Sequence, residues 1–108
     1  MNKETLLYVD DEIINIETFV TVFEKNYKIL TANSAQSALE IISKNPLIRV
    51  IISDLKMPEM SGLELFEIVN LQNPEIICII LTGHYDIDDT LKAINQGGIY
   101  RYILKPWK

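Results

Sequence analysis

The chain has 108 residues, a length that suits one domain with one core. Its net charge of −5 speaks against direct binding of nucleic acid or an anionic membrane surface, and no apolar run approaches the ~20 residues that span a bilayer. The single cysteine, Cys78, excludes an internal disulfide, and Met1-Asn2-Lys3-Glu4 carries no signal peptide, so a cytoplasmic location is expected.

The run Thr5 to Val9 reads as a first strand and ends at Asp10-Asp11. Ile13, Ile16, Val20 and Phe23 then recur at helical spacing and predict one apolar stripe. Tyr27 to Thr31 is a second strand. Ser34 caps a helix whose inner face is Ala35, Ala38, Leu39 and Ile42, and Pro46 closes it. Arg49 to Ser53 is a third strand, which delivers Asp54 at its carboxyl end. Pro58 and Gly62 mark a loop, and Leu63 to Asn70 a helix. Ile76 to Leu81 is a fourth strand, with Cys78 inside it as a small buried hydrophobe, and it stops at Thr82-Gly83. Asp86 or Asp88 caps a further helix with Ile87, Leu91 and Ile94 inward, and Gly97-Gly98 ends it. Tyr100 to Leu104 is a fifth strand, followed by Lys105-Pro106. Strict alternation of strand and helix predicts an α/β fold, a parallel sheet with helices on both faces. The Ile/Val-rich third and fourth strands agree, because central parallel strands are buried on both sides.

In open parallel sheets, ligands bind beyond the carboxyl ends of the strands. Those ends carry Asp10 and Asp11, then Asp54, then Thr82, then Lys105, while the second strand offers only Thr31-Ala32-Asn33 and so belongs at an edge. Three carboxylates brought together repel unless something compensates. A hard divalent cation such as Mg²⁺ does so, and it shares its remaining positions readily with phosphate. Lys105 supplies a point charge and Thr82 a hydroxyl donor for phosphate oxygens. Acid pair, single carboxylate, hydroxyl and lysine together describe a phosphoryl-transfer site with a carboxylate nucleophile. Each residue alone has a plainer role: Asp10-Asp11 as caps of the helix near Ile13, Asp54 and Thr82-Gly83 as turn residues, Lys105 as a solvated lysine.

Four separated motifs resemble the receiver domain of two-component response regulators. They are Val9-Asp10-Asp11-Glu12, Ser53 through Gly62 (SDLKMPEMSG), Leu81-Thr82-Gly83, and Tyr102-Ile103-Leu104-Lys105-Pro106-Trp107. The likeness runs over the whole chain, 1–108, as one receiver domain. It implies a doubly wound five-stranded parallel sheet in the order 2-1-3-4-5, of flavodoxin-like type. It further implies a signalling domain rather than an enzyme, one that assists its own phosphorylation and slowly loses the phosphoryl group. By the same resemblance Asp54 is the phosphoacceptor. Asp11 is a direct Mg²⁺ ligand, Asp10 holds metal-bound water, and the backbone carbonyl of Lys56 completes the protein's share. Thr82 and Lys105 contact the phosphoryl oxygens. Thr82 and Tyr102 form the conformational switch. Lys56 and His84 flank the path of the attacking water and tune rates; a solvated loop residue is the plainer reading of His84. The implied partners are a sensor histidine kinase or phosphotransfer protein and an effector domain beyond the C-terminus.

Two other Asp- or phosphate-centred classes fit less well. A hydrolase of the haloacid dehalogenase type wants a second Asp where Lys56 stands, and a nucleotide-binding module wants a Gly- or Ser-rich loop where Asp10-Asp11-Glu12 stands. A receiver-like scaffold used only for contacts would not need the full set of acidic, hydroxyl and lysine residues. Finally, the family's fifth helix has no residues left after Trp107-Lys108, so a truncated chain or a fragment of a longer protein is expected, with either a homodimer through the uncovered apolar face or a marked loss of stability.

Overall fold

β-Branched and aliphatic side chains dominate the segments that form strands, and these segments pair only in parallel. A computed structural model describes residues 3–82 and 100–104, with Thr82 and 100–104 described through their backbone alone. In chain order the elements are β1 (Glu4–Val9), α1 (Ile13–Phe23), β2 (Tyr27–Ala32), α2 (Ala35–Lys44), β3 (Ile48–Asp54), α3 (Gly62–Gln72), β4 (Ile77–Thr82) and β5 (Tyr100–Leu104). β1 pairs with β2 on one side and β3 on the other, and β4 lies beyond β3. The backbone of β5 runs along the outer side of β4, so the order is β2-β1-β3-β4-β5. The helix expected between Asp86 and Gly98, together with His84, Lys105 and everything after it, lies outside the described residues.

Alternation along the strands divides the core into two. Leu7, Val9, Ile51 and Ile80 pack with Ala35, Ala38 and Ile42 of α2 and with Leu65, Phe66 and Val69 of α3. Leu6, Tyr8 and Leu81 point to the other face, against Phe19 of α1 and the half-buried Ile16 and Phe23. Helices therefore cover both faces. A register shift keeps the two sets in phase: Thr5 stands opposite Ile48 but Leu6 opposite Val50, so β3 carries one extra residue there. Exposed Arg49 takes up the slack. Ile48 thereby joins the α2–α3 side while Val50 joins the α1 side.

Helix starts follow local chemistry. The Oγ of Ser34 accepts from the Ser37 N–H at 3.1 Å, the cap expected for α2. α3 begins at Gly62, earlier than the sequence suggested. Ser61 and Glu64 form a reciprocal capping box that converts the apparent loop end into a helix start. The inner stripe of α1 also differs from expectation. Phe19 is its buried residue, whereas Ile13 is 62% exposed. α1 enters beside the carboxyl end of β1, so its first turn has little sheet beneath it.

Cys78 is buried in β4 within the core cluster on the α2–α3 side, as expected, and desolvation pushes its thiol from an ordinary 9 up to about 12. In the unfolded chain the thiol ionises near pH 9, whereas in the folded chain it keeps its proton until about pH 12. Stability contributed by the neutral thiol is thus complete below pH 9 and falls as pH rises through that window. Denaturant melts of the parent between pH 8 and about 10, below the range in which tyrosines ionise, should show this decline, and Cys78→Ala should lessen it.

Candidate functional site

The strand order reverses between β1 and β3, and that crevice is where open parallel sheets bind ligands. Val9 stands opposite Ser53, so the next residues, Asp10 and Asp54, emerge side by side at the carboxyl edge. Asp10 is wholly buried. Its N–H donates to the Ala32 carbonyl at 3.1 Å, which extends the β1–β2 ladder by one step. Its Oδ1 accepts from the Glu12 N–H at 3.0 Å, and its Oδ2 accepts from the Tyr8 hydroxyl at 2.9 Å. The turn leaves Asp11 facing solvent. Asp54 is half-buried, and its Oδ1 accepts from the Leu55 N–H at 3.0 Å.

One carboxylate oxygen from each of Asp10, Asp11 and Asp54 lies within 4.8 Å of the others. The plainer reading of Asp10-Asp11 as helix caps does not describe this arrangement, because the N-cap of α1 is Glu12, with no side-chain cap. Three hard oxygen donors from a buried, a half-buried and an exposed carboxylate fit a small divalent cation that keeps part of its water. No soft or nitrogen donor stands among them.

Close packing fixes the loop after Asp54. Gly62 donates its N–H to the Leu55 carbonyl at 2.9 Å. A Cβ on Gly62 would overlap the Asp54 carbonyl oxygen and stand 3.0 Å from both Ser53 Oγ and Ile80 Cδ1. Ser53, also fully buried, donates to that same Asp54 carbonyl at 2.9 Å. Within the loop, Glu59 adopts the left-handed backbone region at φ 70°. Lys56 is exposed two residues after Asp54.

The other sequence-derived positions are described only in part. Leu81 stands opposite Asp54, so Thr82 ends β4 one residue beyond the level of Asp54. Tyr102 lies on β5 opposite Ile80, and Leu104 lies opposite Thr82. The side chains of Thr82 and Tyr102, and all of His84 and Lys105, fall outside the description. Sequence reasoning missed Tyr8, whose hydroxyl reaches the acidic cluster. Burial and the Asp10 carboxylate raise its pKa well above the usual phenol range. The signal was present, since residues two apart on a strand share a face.

Residues 6–108 match the response regulator receiver domain family. The chain belongs to that family. This receiver domain is 36% identical over 105 residues to the hydrogenase transcriptional regulatory protein HoxA of Cupriavidus necator, covering 97% of this chain and 22% of that one. It is 32% identical over 102 residues to the transcriptional regulatory protein GlrR of Escherichia coli, covering 94% and 22%. The chain thus spans about a fifth of the length of these curated relatives. Among solved structures, a response regulator receiver domain protein of Clostridium thermocellum superposes with a TM-score of 0.89 at 33% identity, covering 96% of this chain and 83% of its own. Receiver domains are signalling modules of two-component systems, and among the described residues no helix is long and apolar enough to cross a membrane.

The crowding at Gly62 generates a prediction. Gly62→Ala should destabilise the fold by about 1–3 kcal/mol, the usual range for an overpacked core, because backbone must move. Denaturant unfolding checks this, and a variant as stable as the parent would show that α3 shifts freely.

Proposed function

We propose that Asp54 accepts a phosphoryl group from the phosphohistidine of a sensor kinase or phosphotransfer protein. The observation that carries this reading is the convergence of the Asp10, Asp11 and Asp54 carboxylates at the strand-order reversal. A carboxylate oxygen of Asp54 attacks phosphorus, an O–P bond forms, and the P–N bond to the donor histidine breaks as the ring nitrogen leaves. Asp11, Asp54 and the Lys56 carbonyl would hold Mg²⁺, with Asp10 behind its bound water. When bound, the ion supplies neutralisation of the carboxylates and of the incoming phosphoryl oxygens. The Leu55 N–H bond orients the Asp54 carboxylate. Thr82 donates its hydroxyl to a phosphoryl oxygen, and Lys105 neutralises another. In this reading the pull on Thr82 then biases Tyr102 between two positions and alters the surface around β5. An effector segment of a longer, cytoplasmic regulator would read that change.

Incubation with acetyl phosphate and Mg²⁺, followed by intact mass measurement, tests the assignment. The parent should gain one phosphoryl group only when Mg²⁺ is present, and Asp54→Asn should gain none. Labelling of Asp54→Asn equal to the parent would overturn it.

Lys56 and His84 are assigned to the water path that ends the phosphorylated state. Substituting either by Ala should change the acyl-phosphate lifetime severalfold and the phosphorylation rate less. Unchanged lifetimes in both variants would remove these residues from the account.

A further inference from the structure

We propose that Tyr8 is a positioning residue of the acidic site, its hydroxyl setting the Asp10 carboxylate for a small octahedral cation. This rests on the Mg²⁺ reading given above. Tyr8 and Asp10 are two residues apart at the end of β1 and so share the face turned toward α1. Asp10 is wholly buried, so its carboxylate depends on protein donors. Among the described residues it has two: the Glu12 N–H, which belongs to the turn itself, and the Tyr8 hydroxyl, which does not. An aliphatic residue would fill the space at position 8, as Leu6 does two residues earlier on the same face, but it would leave Oδ2 without this donor.

The hydroxyl is itself held in place. The Tyr8 ring is 1% exposed and stacks on Phe19 with centroids 4.2 Å apart and planes 10° from parallel. Phe19 packs on Phe23 at 4.7 Å, and Phe23 meets Tyr27 edge-on at 6.4 Å. The aromatic row runs from the site along the inner face of α1 to the start of β2. Rotation of the Tyr8 ring out of this stack is blocked, so its oxygen is a fixed point against which Asp10 is aligned.

A rigid carboxylate matters differently to different ions. Mg²⁺ demands near-ideal octahedral geometry, whereas Ca²⁺ accepts variable coordination and longer bonds. Loosening Asp10 should therefore weaken Mg²⁺ more than Ca²⁺. Tyr8→Phe removes one oxygen and keeps the ring. Binding of Mg²⁺ alone and of Ca²⁺ alone, measured by calorimetric titration of the folded protein, reads the effect without any phosphodonor. Tyr8→Phe should lose about tenfold in Mg²⁺ affinity, the low end for an outer partner of a metal site, because Asp10 positions the ion's bound water, and less than about threefold in Ca²⁺ affinity. Should Tyr8→Phe fail to fold, Phe19→Leu keeps the hydroxyl but removes its ring support, and it should show the same bias against Mg²⁺. Unchanged affinities, tighter Mg²⁺ binding, or equal loss for both ions would overturn the role of Tyr8 while leaving the site intact. A parent protein that binds neither ion would overturn the metal site and this proposal together.

Discussion

Like charge crowded at one edge of a sheet is the constraint around which this domain is arranged. Three carboxylate oxygens lie within 4.8 Å of one another, from residues that follow or end two adjacent strands. At an effective dielectric of ~20, each such pair repels by on the order of a few kcal/mol, and less where solvent screens the exposed Asp11. No local preference brings them there. Parallel pairing of β1 with β3 does, because it puts both strand ends at the same edge. The apolar residues one to three positions upstream, Leu7 and Val9 in β1 and Ile51 in β3, supply the burial that holds those ends together.

The two faces of the sheet contribute different things to the site. On the α2–α3 face, Gly62 lies so close to the Asp54 carbonyl that no side chain fits between helix and strand. That contact, with the Ser53 hydroxyl on the same carbonyl, ties the loop after Asp54 to the core. On the α1 face, the Tyr8 and Phe19 rings carry a polar group through an otherwise apolar layer to Asp10. Both members of the β1–β3 carboxylate pair are thus braced from the core side, and Asp11 is left to face solvent. A site braced from below and open above suits a ligand that arrives from solution and departs again.

Much of this was legible in the residue order. The alternation of strand-like runs and helical stripes gave the parallel architecture. Listing what stands at strand ends gave Asp10, Asp11 and Asp54 together, because a parallel sheet delivers those ends to one edge. Other features were hidden by competition between local and tertiary effects. Ile13 has the spacing of a core residue, yet it sits at an end of α1 where little sheet lies beneath, and Phe19 takes the buried position. Ser61 and Gly62 look like loop residues, but the capping box with Glu64 and the need for a side-chain-free contact at Asp54 make them a helix start. The extra residue in β3 shows in no pattern; only the pairing of Thr5 with Ile48 and Leu6 with Val50 reveals it. Tyr8 reads as one more strand aromatic until its distance to Asp10 is measured.

The central claim is that carboxylates are held together against their own repulsion so that a cation can be bound. Thermal melting of the parent and of Asp11→Asn, each in chelator and in saturating Mg²⁺, tests it most directly. Asp11 is the choice because it is exposed, so losing its charge disturbs little packing. The account predicts that Asp11→Asn melts higher than the parent in chelator, since one repulsive charge is gone, and that Mg²⁺ no longer raises its melting temperature. A variant that melts lower than the parent in chelator, or that keeps the full Mg²⁺ increment, would contradict it.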